Sequence, residues 1–93
     1  GEVWWIDGFG NCQTNVSADD LIALGVAAGS ELTVQIGGNE YDVPWTAAYG
    51  DVEPGEALLH VDSYGLLALA VREGTAAERF NLAEGHQIVL KKG

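Results

Sequence analysis

At 93 residues, with 47% hydrophobic side chains and three tryptophans, the chain has the size and apolar content of one packed domain and is too short for two. Its 14 acidic and 4 basic residues give a formal net charge of -10, which opposes binding to nucleic-acid backbones or anionic membranes. The lone cysteine, Cys12, cannot close an internal disulfide, and no apolar run approaches bilayer length, so a cytoplasmic setting is expected.

Glu2 to Asp7 carries the aromatic and branched residues of a strand, and Asn11 to Val16 is expected to pair with it locally. Gly1-Glu2-Val3-Trp4-Trp5 lacks the basic end of a signal peptide, and methionine is absent throughout. The chain therefore reads as a fragment, or as the C-terminal part of a longer protein. Between the two strands, Gly8-Phe9-Gly10 presents one aromatic ring on a flexible loop. Asp7 offers a carboxylate and Asn11 a carboxamide on either side of it. Such a set suits a flat heterocycle: Phe9 on its face, Asn11 on an amine and ring-nitrogen edge, Asp7 on a cationic group. The same residues equally make a hairpin turn with Phe9 at a corner of the core.

Ser17-Ala18-Asp19-Asp20 predicts a capped helix of about two turns with Leu21, Ile22 and Leu24 on its apolar face and Gly25 as the stop. Glu31 to Ile36 alternates polar and apolar residues, and Gly37-Gly38-Asn39 turns it into Glu40 to Val43, a hairpin. Trp45 to Tyr49 is a crossing segment in which Trp45 is expected in the core. Ala57 to Val61 and Leu66 to Val71 form a second hairpin around Asp62-Ser63-Tyr64-Gly65. Gly74 to Phe80 suits a helical turn, and Gln87 to Leu90 a last strand. About seven short strands with one or two short helices predict an all-β fold, a small antiparallel barrel or sandwich filling residues 1–93, with barrel closure removing the edge strands.

No hydrolytic triad can be assembled, since His60 and His86 sit in or beside strands and no serine occupies a nucleophile elbow. Neither zinc spacing nor a calcium loop is present, and Cys12 reads as a small apolar filler. The remaining polar and aromatic groups sit at loop ends: Asp7, Phe9, Asn11, Tyr49, Ser63, Tyr64 and the stretch from Arg72 to Thr75. They are expected to line one rim of the barrel, as a binding surface without a complete active site.

Taken in order, several short motifs resemble one family. They are Val3 through Asp7 with Phe9-Gly10-Asn11 and Thr14-Asn15, Tyr49-Gly50-Asp51-Val52 with Pro54-Gly55-Glu56, Asp62-Ser63-Tyr64-Gly65, Leu69-Ala70-Val71, Gly74-Thr75-Ala76-Ala77, and Gly85 to Leu90. Over nearly its whole length the chain resembles the C-terminal domain of the S-adenosylmethionine hydroxide adenosyltransferases, the group that also holds the fluorinase and chlorinase. The resemblance implies a barrel that binds the adenosyl group against a larger N-terminal α/β domain of a neighbouring subunit in a homotrimer. That other domain handles the water or halide, so the isolated domain is expected to be inactive, and S-adenosylmethionine enters as substrate with no separate cofactor.

By the same resemblance Phe9 and Tyr49 flank adenine, Asn11 reads its edge, Asp7 and Ser63 meet the methionine amino group, and the backbone from Val71 to Glu73 completes the pocket. Two departures point to the hydrolase branch: Tyr64 stands where the fluorinase has an arginine for the methionine carboxylate, and the first loop is one residue shorter. The expected function is the adenosyl-binding half of a hydrolase that yields adenosine and methionine. The alternatives are a stand-alone module for adenosine or S-adenosylmethionine and a structural barrel that drives oligomerisation, with Trp4, Trp5 or Trp45 at a subunit interface.

Overall fold

A computed structural model describes residues 1–92, so Gly93, the last residue of the expected domain, lies outside the described residues. Its strands are β1 (Val3–Ile6), β2 (Cys12–Ser17), β3 (Glu31–Ile36), β4 (Asn39–Pro44), β5 (Ala57–Val61), β6 (Leu66–Val71) and β7 (Val89–Lys92). Two short helices, α1 (Ala18–Ala23) and α2 (Ala76–Arg79), and one 3₁₀ turn (Tyr49–Asp51) complete it.

The fold is all-β. One sheet runs β1-β2-β6-β5 and the other β4-β3-β7, with every laddered pair antiparallel. The hairpins expected from alternation are present. β3 pairs with β4 in unbroken register from Glu31 opposite Pro44 to Ile36 opposite Asn39, burying Leu32 and Val34 completely. β5 and β6 pair from Ala57 with Val71 to Val61 with Leu67. The ladders form two sheets rather than the continuous ring of the expected barrel. Single bridges join their edges, Glu2 with Gln87 on one side and Trp45 with Leu59 on the other.

β6 sits between two neighbours and is buried from Leu67 to Val71. Its alternate residues Leu67, Leu69 and Val71 enter the main core with Val3, Cys12, Leu32, Val34, Trp45 and Ile88. Polar backbone there must be paired, and Thr14 supplies one pairing, its fully buried hydroxyl donating to the carbonyl of Leu67 at 2.6 Å.

Two expectations need correction. Of the apolar face assigned to α1 only Leu21 is buried, while Ile22 and Leu24 lie open to solvent. The helix is too short to lay a second row on the sheet, and Gly25, at φ +86, sends the chain back so that Val26 fills the next core position. The last strand begins at Val89, two residues later than expected. Before that point the chain follows the first sheet, with Val3 N–H donating to His86 and Ile88 N–H to Gly1. From Val89 onward it pairs with β3 instead.

Because β6 carries the core, Leu69→Ala should lower the unfolding free energy by about 2–5 kcal/mol. Leu24→Ala, on a residue 73% exposed, should stay within about 0.5 kcal/mol of the parent. Urea titrations followed by circular dichroism compare the two.

Candidate functional site

Alternation gives the four-stranded sheet a second face. Ala70 packs there with Leu58 and Val52, away from the main core, and Ala68 lies on the same side. Register extends that row across four strands: Trp5 opposite Gln13, Gln13 opposite Ala68, Ala68 opposite His60. Tyr49, on its 3₁₀ turn, brings its ring to 6.2 Å from that of His60.

Two turns built on one pattern stand at the ends of this face. In Asp7-Gly8-Phe9-Gly10-Asn11, Oδ1 of Asp7 accepts from the N–H groups of Phe9 at 2.9 Å and Asn11 at 3.0 Å. In Asp62-Ser63-Tyr64-Gly65-Leu66, Oδ1 of Asp62 accepts from Tyr64 at 2.8 Å and Leu66 at 3.0 Å. The glycine in each case takes positive φ, +80 at Gly10 and +79 at Gly65, and donates back to the aspartate carbonyl. An Asx turn of this kind fixes a loop through its own side chain. Its product is an aromatic ring thrust outward, Phe9 at 81% and Tyr64 at 80% exposure.

In the first turn Oδ2 of Asp7 also accepts from Nδ2 of Asn11 at 3.1 Å, which leaves the carboxamide oxygen of Asn11 oriented but uncommitted to Asp7. Thr75 packs against Gly10 so closely that any Cβ there would collide with it, and the carbonyl of Gly10 accepts from Ala77 N–H at 3.0 Å. This loop is thereby locked beside Glu73 and Gly74. Glu73 holds a left-handed backbone, φ +56, unusual for a residue with a side chain. Its carboxylate lies 3.7 Å from Nε of Arg72, and Arg72 donates to the carbonyl of Val52 at 2.6 Å.

Phe9, Asn11, Val71 and Glu73 therefore gather at one end of β6, with Asp7 beneath them. Ser63 and Tyr64 stand at the other. Because β2 runs antiparallel to β6, with Cys12 opposite Leu69 and Ser17 opposite Leu66, the turn before β2 meets the far end of β6. Five residue steps, about 17 Å, separate the groups, so the single rim expected from sequence is instead an extended face with Tyr49 beside its middle.

Sequence reading missed two polar groups on that face. Oε1 of Gln13 and Nε2 of His60 are buried and meet no hydrogen-bond partner. Only the cross-strand register, invisible in one strand at a time, places them on either side of Ala68. Cys12 lies on the opposite side of β2, in the core, where burial and then the nearby Asp7 charge push its thiol from 9.0 up to about 11. That matches its reading as an apolar filler. Among the described residues no group of three His, Cys, Asp or Glu side chains could hold a metal ion, and no helix is long and apolar enough to cross a membrane.

The family model of the S-adenosylmethionine hydroxide adenosyltransferase C-terminal domain matches residues 1–89. A fluorinase of Nocardia brasiliensis is 34% identical over 87 residues, 91% of this chain and 29% of that protein. An (R)-S-adenosyl-L-methionine hydrolase of Salinispora tropica is 34% identical over 92 residues, 99% of this chain and 32% of that one. A crystal structure of an uncharacterised conserved protein from Thermotoga maritima superposes with a TM-score of 0.92 at 37% identity, over 99% of this chain and 35% of that one. The chain spans about a third of the length of the curated relatives it matches, and it belongs to this C-terminal domain family.

Two outcomes test the local structure. Gly10→Ala combines a collision with Thr75 and a left-handed backbone, so it should destabilise the fold by about 1–3 kcal/mol or shift the loop, read by thermal melting. Cys12 should resist iodoacetamide at pH 8 in the folded chain and react readily in urea. A thiol whose folded pKa is raised favours the folded state below 9.0, so its contribution should fade as pH climbs from 9.0 toward about 11.

Proposed function

We propose that the chain is the adenosyl-binding part of an S-adenosylmethionine hydrolase. The single observation carrying this reading is the locked first turn, which holds an exposed ring, Phe9, beside Asn11 and the left-handed backbone at Glu73 in a chain of this family. A stacking face, an amide edge and backbone polar groups are what a purine nucleoside requires.

In this reading Phe9 stacks on adenine and Asn11, steered by Asp7, reads its edge. The backbone from Val71 to Glu73 completes the pocket, and Tyr49 closes it from the side. Ser63 and Tyr64, a strand length away, attend the amino-acid end of the substrate. Asp7 lies too far from that end to share the ammonium group with Ser63, and with both oxygens engaged in its own turn it acts by orienting Asn11. The two sheets, joined edge to edge by single bridges, act as an incompletely zipped barrel.

Water, oriented by an N-terminal domain, attacks C5′ while the C5′–S bond breaks. The sulfur keeps the bonding pair and leaves as the neutral thioether of methionine; the new hydroxyl sheds one proton to solvent, giving adenosine. This chain's residues bind and orient without taking a proton. The working protein is accordingly a cytoplasmic homotrimer in which each barrel meets a neighbouring subunit's N-terminal α/β domain. The relatives' greater length and the name of the Salinispora hydrolase support that reading.

The lone chain should show no turnover, and joining it to a matching N-terminal domain should produce adenosine, followed chromatographically. In the joined protein Phe9→Ala and Asn11→Ala should each weaken nucleoside binding by about 1–3 kcal/mol with the circular dichroism spectrum unchanged. A folded, joined protein that makes no adenosine, or unchanged affinity in both variants, would overturn the proposal.

A further inference from the structure

The second turn, given above to the amino-acid end of the substrate through Ser63 and Tyr64, borders a hollow for which that reading has no occupant. β1 pairs through Val3 with Thr14 and through Trp5 with Gln13, so Trp4 is one residue too many on its strand. Such a bulge turns consecutive side chains out of their alternation. Both Trp4 and Trp5 are consequently exposed, at 55% and 46%. Together with Tyr64 they ring a hollow of about 390 Å³, which Gln13, Asp62 and Leu66 also line.

The polar chemistry of this hollow is one-signed. Gln13 is 6% exposed, and its buried carboxamide oxygen has no partner. Asp62 contributes a carboxylate whose turn bonds both fall on Oδ1. None of the chain's four basic residues lines the hollow, and the chain as a whole carries a charge of -10. Three ring systems with electron-rich faces, a carboxylate and an unpaired acceptor attract a positive group that is apolar at its surface. We infer that the hollow between Trp4, Trp5 and Tyr64 binds an alkylated onium centre, a sulfonium or a quaternary ammonium. The rings meet its alkyl groups, the buried Gln13 oxygen adds negative potential from within the sheet, and Asp62 balances the charge. A neutral apolar segment would gain from the rings but would leave Asp62 without a counter-charge.

The sulfonium of S-adenosylmethionine is one methylene from the ribose and cannot reach this hollow while its adenine lies on Phe9 at the other end of β6, so the centre belongs to a separate small onium ligand. Tryptophan fluorescence of the 93-residue chain, titrated with choline and with its neutral isostere 3,3-dimethylbutan-1-ol, tests this chemistry. Choline should bind more tightly by roughly 3- to 30-fold. Tyr64→Leu and Trp5→Leu should each lose that preference, the first lying on an exposed turn where folding is not at stake. Equal binding of choline and isostere marks a merely apolar face, suited to a protein partner, and overturns the inference; so does an unchanged titration in both variants.

Choline should therefore stay bound under S-adenosylmethionine; displacement by S-adenosylmethionine at least about 3-fold better than by the uncharged S-adenosylhomocysteine overturns the assignment to a separate ligand. Phe9→Ala and Asn11→Ala report on the adenosyl reading independently, because they lie at the other end of β6.

Discussion

β6 is the constraint on which the rest depends. A strand buried from Leu67 to Val71 with a neighbour on each edge has no solvent-facing side, so both of its faces must be filled. Large residues, Leu67, Leu69 and Val71, go to the main core, and small ones, Ala68 and Ala70, to the other side. Burying such leucines is worth about 1.5–3 kcal/mol each, while the alanines let Gln13, His60 and the segment through Val52 come down onto the sheet. The outer face is thus shallow and flat by composition.

From that strand the positions of the two Asx-turn loops follow. Neighbouring antiparallel strands alternate their turns between the two ends of a sheet, so the turn before β2 and the turn before β6 cannot meet. The first is tied down further by Thr75 at the start of α2, whose hydroxyl accepts from Glu78 N–H at 3.3 Å. That cap holds α2 against Gly10, and Gly10 holds Phe9 away from the core. Under the proposed function, such a face, with candidate groups at both ends, suits an elongated ligand better than a rim with all of them together.

Much of the architecture was legible because short-range rules decide it. Alternation in Glu31 to Ile36, the apolar runs of Ala57 to Val61 and Leu66 to Val71, and the cap at Ser17, which accepts from Asp20 N–H at 3.1 Å, all depend on neighbours in sequence. The ring of Phe9 on its tight loop belongs to the same class. What escaped depends on partners far along the chain: the switch of sheet at Ile88, the idle outer side of α1, the bulge that brings Trp4 and Trp5 out together, and the row from Gln13 to His60. One local signal was available and unused. Asp-x-aromatic-Gly occurs twice, at Asp7 and Asp62, and its recurrence marks both turns as one device.

That device also bears on charge. Of fourteen acidic side chains, Asp7, Glu56 and Asp62 spend an oxygen on their own turns, and Glu40 and Glu73 meet Lys91 and Arg72 in ion pairs on the surface. Such exposed pairs contribute at most about 1 kcal/mol each, so their worth lies little in stability. The carboxylates of Asp7 and Asp62 differ, because backbone N–H groups fix them in direction without cancelling their charge. A fixed anion next to an outward ring therefore stands at each end of β6, on a surface with almost no cations to offset it. Positive charge on a ligand is attracted at both ends and must be sorted by shape: an open ring beside an amide at Phe9 and Asn11, a walled hollow at Tyr64. Specificity in so small a domain then comes from what surrounds each of two like turns, since their own geometry is the same.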